Sequence, residues 1–333
     1  MRVYLSAVQA GNRSGTGRYT EELARALAAR ADLTLTVDRT PGRGRLVAPR
    51  GGYDVMHYPA NFCPPLGGEH LVVTVHDLSF LRHPEWFSAE RALYYRAAFA
   101  ITRRRAARFI ADSHATREDL ITIANISPDK IDVAHLGVSD AFRPATAEVQ
   151  AAARARYKLP EQFFLYVGTL EPRKNVPRLL QAFDAVAHEI PHDLVIAGRE
   201  GWKVHGIQQA LATMKHAPRV HFPGFIANED LPALLSAASG FAWPSLFEGF
   251  GLPPLEALAC GTPVLTSNTS SLPELFDGHA LLVNPEDTRA IAEGLRQLAV
   301  THDAPPESIA HAQSFTWEKT AANVATAYAR VAP

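Results

Sequence analysis

Short runs of apolar and β-branched residues recur along the chain. Each is closed by glycine, proline or a polar group, and most lead into a longer stretch with apolar positions three or four apart. Runs of the first kind read as strands, stretches of the second as amphipathic helices. A first series of strands falls at 3–7, 33–37 (LTLTV), 54–58 (DVMHY), 71–76 (LVVTVH), 109–111 and 130–138 (KIDVAHLGV). LVVTVH is apolar or β-branched almost throughout, as a parallel strand covered on both faces should be. A helix is predicted over about 18–30, with Tyr19, Leu23, Ala26 and Leu27 on one face. Another is predicted over about 89–105, with Leu93, Ala97 and Ala100 inward. SHATREDL reads as a helix capped by Ser113 or Thr116.

AFRPATAE, with its proline, small residues and lost periodicity, marks a boundary, and the alternation then restarts. FFLYVGT (163–169), DLVIAG (193–198), RVHFPGFI, FAW (241–243), PVLTSN and HALLVNP read as strands entering loops. EPRKNVPRLLQAFDAVAH carries a helix with Leu179, Leu180, Phe183 and Val186 inward. Two such β/α series, each of about 150 residues, predict two doubly wound α/β domains facing a central cleft.

Candidate chemistry collects where strands end. In FAWPSLFEGFGLPPLEALACGTPVL (241–265) a strand gives way to a glycine loop and then a helix that starts near Pro253 or Pro254. Free amides at such a helix start suit an anion, while Glu248 in the loop and Glu256 in the helix suit hydroxyls. An ordinary glycine–proline turn into a buried helix is the plainer alternative. In GTLEPRKN, Gly168 ends a strand, and Arg173 and Lys174 precede a helix. Cations there run against the helix dipole, which points to an awaited diphosphate, with a surface ion pair as the alternative. His76 and Asp77 close the strand 71–76, at the carboxyl end where open sheets keep their ligands; a capping Asp beside a satisfied His fits equally. Gly11, Gly15 and Gly17 in GNRSGTGR do not form GxGxxG, which disfavours a redox dinucleotide. TPGRGRLVAPRGG (40–52) reads as a mobile loop.

Composition narrows the classes further. Of 333 residues, 47% are apolar and 20% charged, as in a soluble globular protein, and the formal net charge of -1 argues against nucleic acid as a partner. The charge is unevenly spread: residues 1–110 hold 16 Arg and no Lys against 9 acidic residues. Within the 89–108 region, Tyr94, Tyr95 and Phe99 interleave with the cluster Arg103, Arg104 and Arg105. That suits peripheral contact with a membrane, or else a solvated helix end where the dipole favours arginine. Cys63 and Cys260 form neither a ligand cluster nor a disulfide framework. With no signal-like start and no apolar run of transmembrane length, a cytoplasmic location is expected, peripheral at the inner membrane face if 89–108 touches lipid.

Taken together, SGTGRY, THDL, ADSHATREDL, YVGTLEPRKN and EGFGLPPLEALACGTPV resemble the retaining glycosyltransferases of family 4, which have the two-domain GT-B fold. The Glu-x7-Glu pattern of Glu248 and Glu256 is the most specific part, and the matches run in order along nearly the whole chain. The resemblance implies an acceptor-side domain at 1–145, a donor domain at 146–315, and a terminal helix at 316–333 crossing back to the first domain. It implies a nucleoside-diphosphate sugar as donor, with no metal or other cofactor, and a glycan, lipid-linked or small-molecule acceptor. Glu248 is then expected on hydroxyls of the transferred sugar, Glu256 on the ribose, and Arg173 and Lys174 on the diphosphate beside the amides of Phe250 and Gly251. His76 is expected near the anomeric centre, and Gly15 and Gly17 near the phosphates. Gly198, Arg199 and the turn 223–226, with Phe225, are expected near the base.

HDLSFLRHPEWFS looks like the branch whose members use GDP-mannose, with UDP- and dTDP-sugars as alternatives. No residue stands out as a glycosidase-type nucleophile. The resemblance therefore favours front-face attack by the acceptor, its proton taken by the departing phosphate. The competing readings are a nucleotide-sugar-binding protein that does not turn over, an epimerase, which would not need an acceptor, and a phosphorylase, which would need inorganic phosphate.

Overall fold

The computed structural model describes residues 1–11, 15–40 and 46–333. Part of the glycine loop (12–14) and the part of the expected mobile loop at 41–45 lie outside the described residues. The chain divides into two compact units, Met1–Ser139 with Phe315–Pro333, and Asp140–Ser314.

The first unit is built on a parallel six-stranded sheet. Its strands are β1 (Arg2–Ser6), β2 (Thr34–Asp38), β3 (Val55–Tyr58), β4 (Leu71–Val75), β5 (Arg108–Ala111) and β6 (Ile131–Val133), in the order β2-β1-β3-β4-β5-β6. β3, β4 and β5 are buried along their whole length, which is why their sequences are apolar runs rather than alternations. The helix Gly15–Ala28 begins earlier than the periodicity indicates, so Gly15 and Gly17 lie in its first turn and not in the preceding loop. The last helix, Trp317–Ala329, packs against it. That docking needs a glycine at 137, where a Cβ would stand 2.3 Å from the Trp317 amide nitrogen. A buried chain of hydrogen bonds ties the same helix to the sheet: Tyr328 Oη to His57 Nδ1 (2.6 Å), His57 Nε2 to Thr74 Oγ1 (2.7 Å), and Thr74 Oγ1 to Tyr19 Oη (2.9 Å).

The helix Ala89–Arg105 has the predicted bounds but the opposite face inward. Ala92, Phe99 and Thr102 are buried, and half-buried Tyr95 sits among Phe62, Phe80 and Phe87 at centroid distances of 5.5–5.8 Å. Leu93, Ala97 and Ala100, expected inward, are exposed. Both faces of this helix are apolar, so periodicity alone has two solutions. The aromatic face wins because it buries more apolar area and finds ring partners from Phe62 to Phe87. Of the residues expected to be presented, Phe99 is core. Arg103 donates to the Ala124 carbonyl (3.0 Å), and Arg105 donates to the carbonyls of Pro65 and Gly67. Arg108 lies in β5, paired with Asp132, so the exposed part of 89–108 stops at Arg105.

The second unit carries another parallel sheet. β7 (Phe163–Val167), β8 (Asp193–Ala197), β9 (Val220–Gly224), β10 (Gly240–Trp243), β11 (Val264–Ser267) and β12 (Leu281–Val283) run in the order β12-β11-β10-β7-β8-β9. The chain steps from β7 out to β9 and returns to the other side of β7 at β10, where Phe241 pairs with Leu165. Strand order therefore reverses between β7 and β10. In a doubly wound sheet the loops leaving those two strands bound the ligand crevice. Among the described residues, no helix is long and apolar enough to cross a membrane.

Gly137→Ala is expected to lower stability by about 2–4 kcal/mol, because the Trp317 backbone cannot move aside without undocking its helix. Gly15→Ala, with nothing within 4 Å of the new methyl, is expected to change it by less than about 1 kcal/mol. Denaturant midpoints of the two variants would check the contrast, and equal midpoints would contradict it.

Candidate functional site

The loops after β7 and β10 meet at the reversal of strand order. After β7, a turn of 3-10 helix, Pro172–Lys174, ends at Asn175, which adopts the left-handed conformation (φ 60°) that asparagine tolerates. Its side-chain amide donates to the carbonyls of Pro244 (2.9 Å) and Pro285 (2.8 Å), fixing the turn against the end of β10 and the loop after β12. The Leu246 amide donates to the Arg173 carbonyl (2.8 Å), so backbone as well as side chains hold the two loops together. After β10 the chain turns at Gly251 (φ 108°) into the helix Leu252–Ala259, with Pro253 and Pro254 in its first turn. A Cβ at Gly251 would be 2.7 Å from Leu272, so both conformation and space require glycine there. Ser271 Oγ donates to the carbonyls of Glu248 (2.9 Å) and Phe250 (3.0 Å), and the Glu248 amide donates to Ser270 Oγ (2.9 Å).

These ties bring Glu248, Arg173 and Lys174 together. Glu248 Oε1 accepts from Lys174 Nζ at 2.6 Å and Oε2 from Arg173 Nη1 at 2.7 Å; Arg173 Nε also pairs with Glu171 at 2.5 Å. Glu248, Glu171 and Lys174 are buried, and the Lys174 ammonium stands 4.1 Å from the centroid of the buried Trp243 ring. Burial pulls Lys174 below the usual lysine range and the Arg173 charge adds to this, while Glu248 and Glu171 oppose both. The result is a compact, weakly solvated group of two cations and two carboxylates.

Gly168 follows β7, and Gly198 follows β8. A Cβ on Gly198 (φ 144°) would lie 1.9 Å from the Gly168 carbonyl oxygen, so the two loops touch backbone to backbone. Next to them, Arg199 lies over the Phe225 ring at 5.9 Å, and Phe225 is partly exposed. Glu256 is buried in the helix Leu252–Ala259. It lies near Cys260, whose thiol is pushed up to about 12 by burial and by the Glu256 carboxylate, which removes it as a nucleophile at neutral pH.

Ten of the thirteen expected site residues thus belong to the second unit, and His76, Gly15 and Gly17 to the first. His76 follows β4. Its Nδ1 is 2.6 Å from Asp112 Oδ2 and its Nε2 3.0 Å from the Pro59 carbonyl, with the Tyr19 ring edge-on at 4.9 Å. Nε2–H donates to the Pro59 carbonyl, and Nδ1 shares a hydrogen with the Asp112 carboxyl. Burial works against a charge on the ring, but Asp112, through charge and hydrogen bond, raises His76 above the usual histidine range with help from Asp77. Asp112 is itself raised by burial, and its Oδ1 is buried without a hydrogen-bond partner among the described residues. The pair therefore shares one proton between Nδ1 and Asp112 Oδ2, and Nε2–H donates to Pro59.

Glu171, Asn175 and Asp112 are absent from the sequence-derived set, although all three lie inside the motifs YVGTLEPRKN and ADSHATREDL. Their spacing within each motif carries no signal. Asn175 and Asp112 matter through partners made adjacent by the fold, such as His76, 36 positions before Asp112, while Glu171 pairs with Arg173 two positions on.

Residues 150–311 match the family profile of the glycosyl transferases group 1, and residues 32–142 that of glycosyltransferase family 4. The O-antigen chain mannosyltransferase B of Escherichia coli is 32% identical over 282 residues, covering 83% of this chain and 74% of that protein. A D-inositol 3-phosphate glycosyltransferase of Streptomyces scabiei is 36% identical over 243 residues, 68% of this chain; the chain spans about half (54%) of that relative. Among solved structures, sucrose-phosphate synthase from Thermosynechococcus elongatus superposes with a TM-score of 0.73 at 22% identity, covering 99% of this chain and 98% of that one, a likeness of fold.

Asp112→Asn is expected to lower the titration of the His76 imidazole, since the main opposition to burial is removed and only Asp77 and the Pro59 carbonyl still favour the charge. Because the native value is raised, the charged pair stabilises the wild type fully below the unfolded-state value and loses that contribution as pH rises through the native one. NMR titration of the His76 ring in both proteins measures the shift directly; superimposable curves would show that Asp112 does not hold the proton in place.

Proposed function

The chain belongs to the glycosyltransferases of group 1 and family 4 and transfers a sugar from a nucleotide-sugar donor to an acceptor; within that family we propose a retaining, metal-independent hexosyltransferase that moves mannose from GDP-mannose to a glycan or lipid-linked acceptor. The observation that carries the reading is the pair of loops at the β7/β10 switch point. There one buried carboxylate, Glu248, is gripped by Arg173 and Lys174 beside the helix start at Gly251. The mannose part is supported by the E. coli relative's name.

In this reading the donor diphosphate lies between the Arg173-Lys174 turn and the amides of Phe250 and Gly251. Glu248 holds hydroxyls of the hexose and tethers both cations, and Glu256 takes the ribose. The base lies by Gly198, Arg199 and Phe225, with Gly168 keeping the floor of the loop open. As the bond from the anomeric carbon to the diphosphate oxygen breaks, positive charge grows on the sugar and negative charge on the leaving group. Two cations fixed in a poorly solvated pocket, together with helix-start amides, stabilise that charge without reorganising. The acceptor oxygen attacks the face the diphosphate leaves, and its proton passes to the departing phosphate. His76, held by Asp112, orients the sugar, and the first turn of the helix Gly15–Ala28, with Gly15 and Gly17, approaches the phosphates.

Glu248→Gln is expected to lower turnover by about 10²–10³-fold with the secondary structure unchanged by circular dichroism, and Lys174→Met to act similarly. Near-normal transfer by either variant would count against the assignment. Thermal shift against GDP, UDP, dTDP and ADP selects the base, since a ligand that binds only the folded form raises apparent stability by about 2.7 kcal/mol at a hundred times its Kd. GDP is expected to give the largest shift; a larger one with UDP or dTDP would move the donor to those sugars, and no shift with any nucleotide would remove the reaction.

A further inference from the structure

Large apolar side chains that stay exposed are concentrated in one part of the first unit. Of the ten among the described residues, six are Leu46, Val47, Leu66, Leu93, Tyr94 and Ile101. Leu93, Tyr94 and Ile101 lie on the outer face of the helix Ala89–Arg105, with Leu93 71% and Tyr94 63% exposed. At 100° per residue, Leu93, Ala97, Ala100, Ile101 and Arg104 fall within an arc of about 100°, with Tyr94 beside it and Arg96 on the other flank. Exposed Arg96 flanks this stripe, while exposed Arg104 lies within it at the C-terminal end and exposed Glu90 within it at the N-terminal end.

The other three residues adjoin its C-terminal end. Val47 pairs with Leu66 through a parallel bridge, and the Leu66 amide donates to the Leu46 carbonyl at 3.1 Å. Arg105, the last residue of the helix, donates to the carbonyls of Pro65 and Gly67 on either side of Leu66. Arg105 therefore ties the C-terminal end of the helix to the Leu46-Val47-Leu66 knob, so these exposed apolar residues are grouped and not scattered singly.

The geometry points to this face as a docking surface for an anionic lipid bilayer. The apolar stripe enters the region between headgroups and acyl chains, and Arg96 and Arg104 meet the lipid phosphates. Charge selects this occupant: the segment that bears the face, residues 1–110, has 16 arginines, no lysine and only 9 acidic residues, an excess that complements anionic headgroups. Arginine also suits the boundary, since its stem can lie along apolar groups while the guanidinium stays at phosphate level. A lipid-carried acceptor would meet the enzyme at such a surface, yet the inference rests on the patch and not on the proposed reaction.

The test uses the full chain and sedimentation with phosphatidylcholine vesicles, with and without phosphatidylglycerol. The wild type is expected to sediment only with the anionic vesicles, and less at high salt. Arg96→Gln with Arg104→Gln is expected to weaken binding about thirtyfold, two charges at about 1 kcal/mol each. Leu93→Gln with Tyr94→Gln should weaken it by at least tenfold while leaving nucleotide thermal shifts as in the wild type, which separates loss of docking from failure of the donor site. Arg103 and Arg105 are unsuitable for this test because both hold backbone carbonyls of the fold. Equal vesicle binding by wild type and variants would overturn the inference, as would no sedimentation of the wild type. So would a self-association in analytical ultracentrifugation that Leu93→Gln abolishes, since the face would then belong to a second copy of the chain.

Discussion

The second unit is organised around a charge that cannot be hydrated. Glu248 and Lys174 are both buried, so each must be matched by the other, and Arg173 and Glu171 complete the match from the same turn. Ion pairs of this kind seldom stabilise a fold relative to apolar groups of the same size, because desolvation consumes most of the Coulomb gain. The surrounding structure shows how much is arranged to keep this one in place. Asn175 is held in a left-handed conformation, its amide closes two proline carbonyls, and Ser270 and Ser271 fix the backbone that carries Glu248. A costly group maintained by so many local constraints, at the point where strand order reverses, is the physical ground for the donor site proposed above.

The first unit repeats the theme with a different pair. His76 closes β4, and Asp112 closes the neighbouring β5, so the parallel register that sets Val75 opposite Ala111 also sets the two side chains within hydrogen-bonding distance. Tyr19 covers the imidazole edge-on, and its hydroxyl begins the buried chain through Thr74 and His57 to Tyr328 on the last helix. His57, in contrast to His76, has no carboxylate beside it and is driven down to about 3 by burial, so it stays neutral as a link between hydroxyls. Two histidines of the same unit are thus pushed in opposite directions, chiefly because Asp112 stands against one of them.

How far the chain could be read without its fold depends on whether a residue's meaning is local. Strand and helix succession, the two doubly wound units, the glycine turn at Gly251, and the cationic turn at Arg173 and Lys174 were all legible, because each is set by periodicity or by residues adjacent in sequence. The motif resemblance added the family, which the comparisons bear out. The outer face of the helix Ala89–Arg105 was misread for the complementary reason. Leu93, Ala97 and Ala100 form as good a stripe as Ala92, Tyr95 and Phe99, and only the presence of Phe62, Phe80 and Phe87 on one side decides between them.

The sequence by itself determined where strands, turns and charged groups fall, since backbone preference and apolar spacing act over a few residues. Tertiary structure alone decided which of those groups meet. It placed Glu248 between two cations more than seventy positions away, gave His76 its carboxylate, set Gly137 against the Trp317 backbone, and left Leu93 facing outward. Each of these outcomes turns on desolvation or packing against a distant segment, and a chain read one neighbourhood at a time contains no term for either.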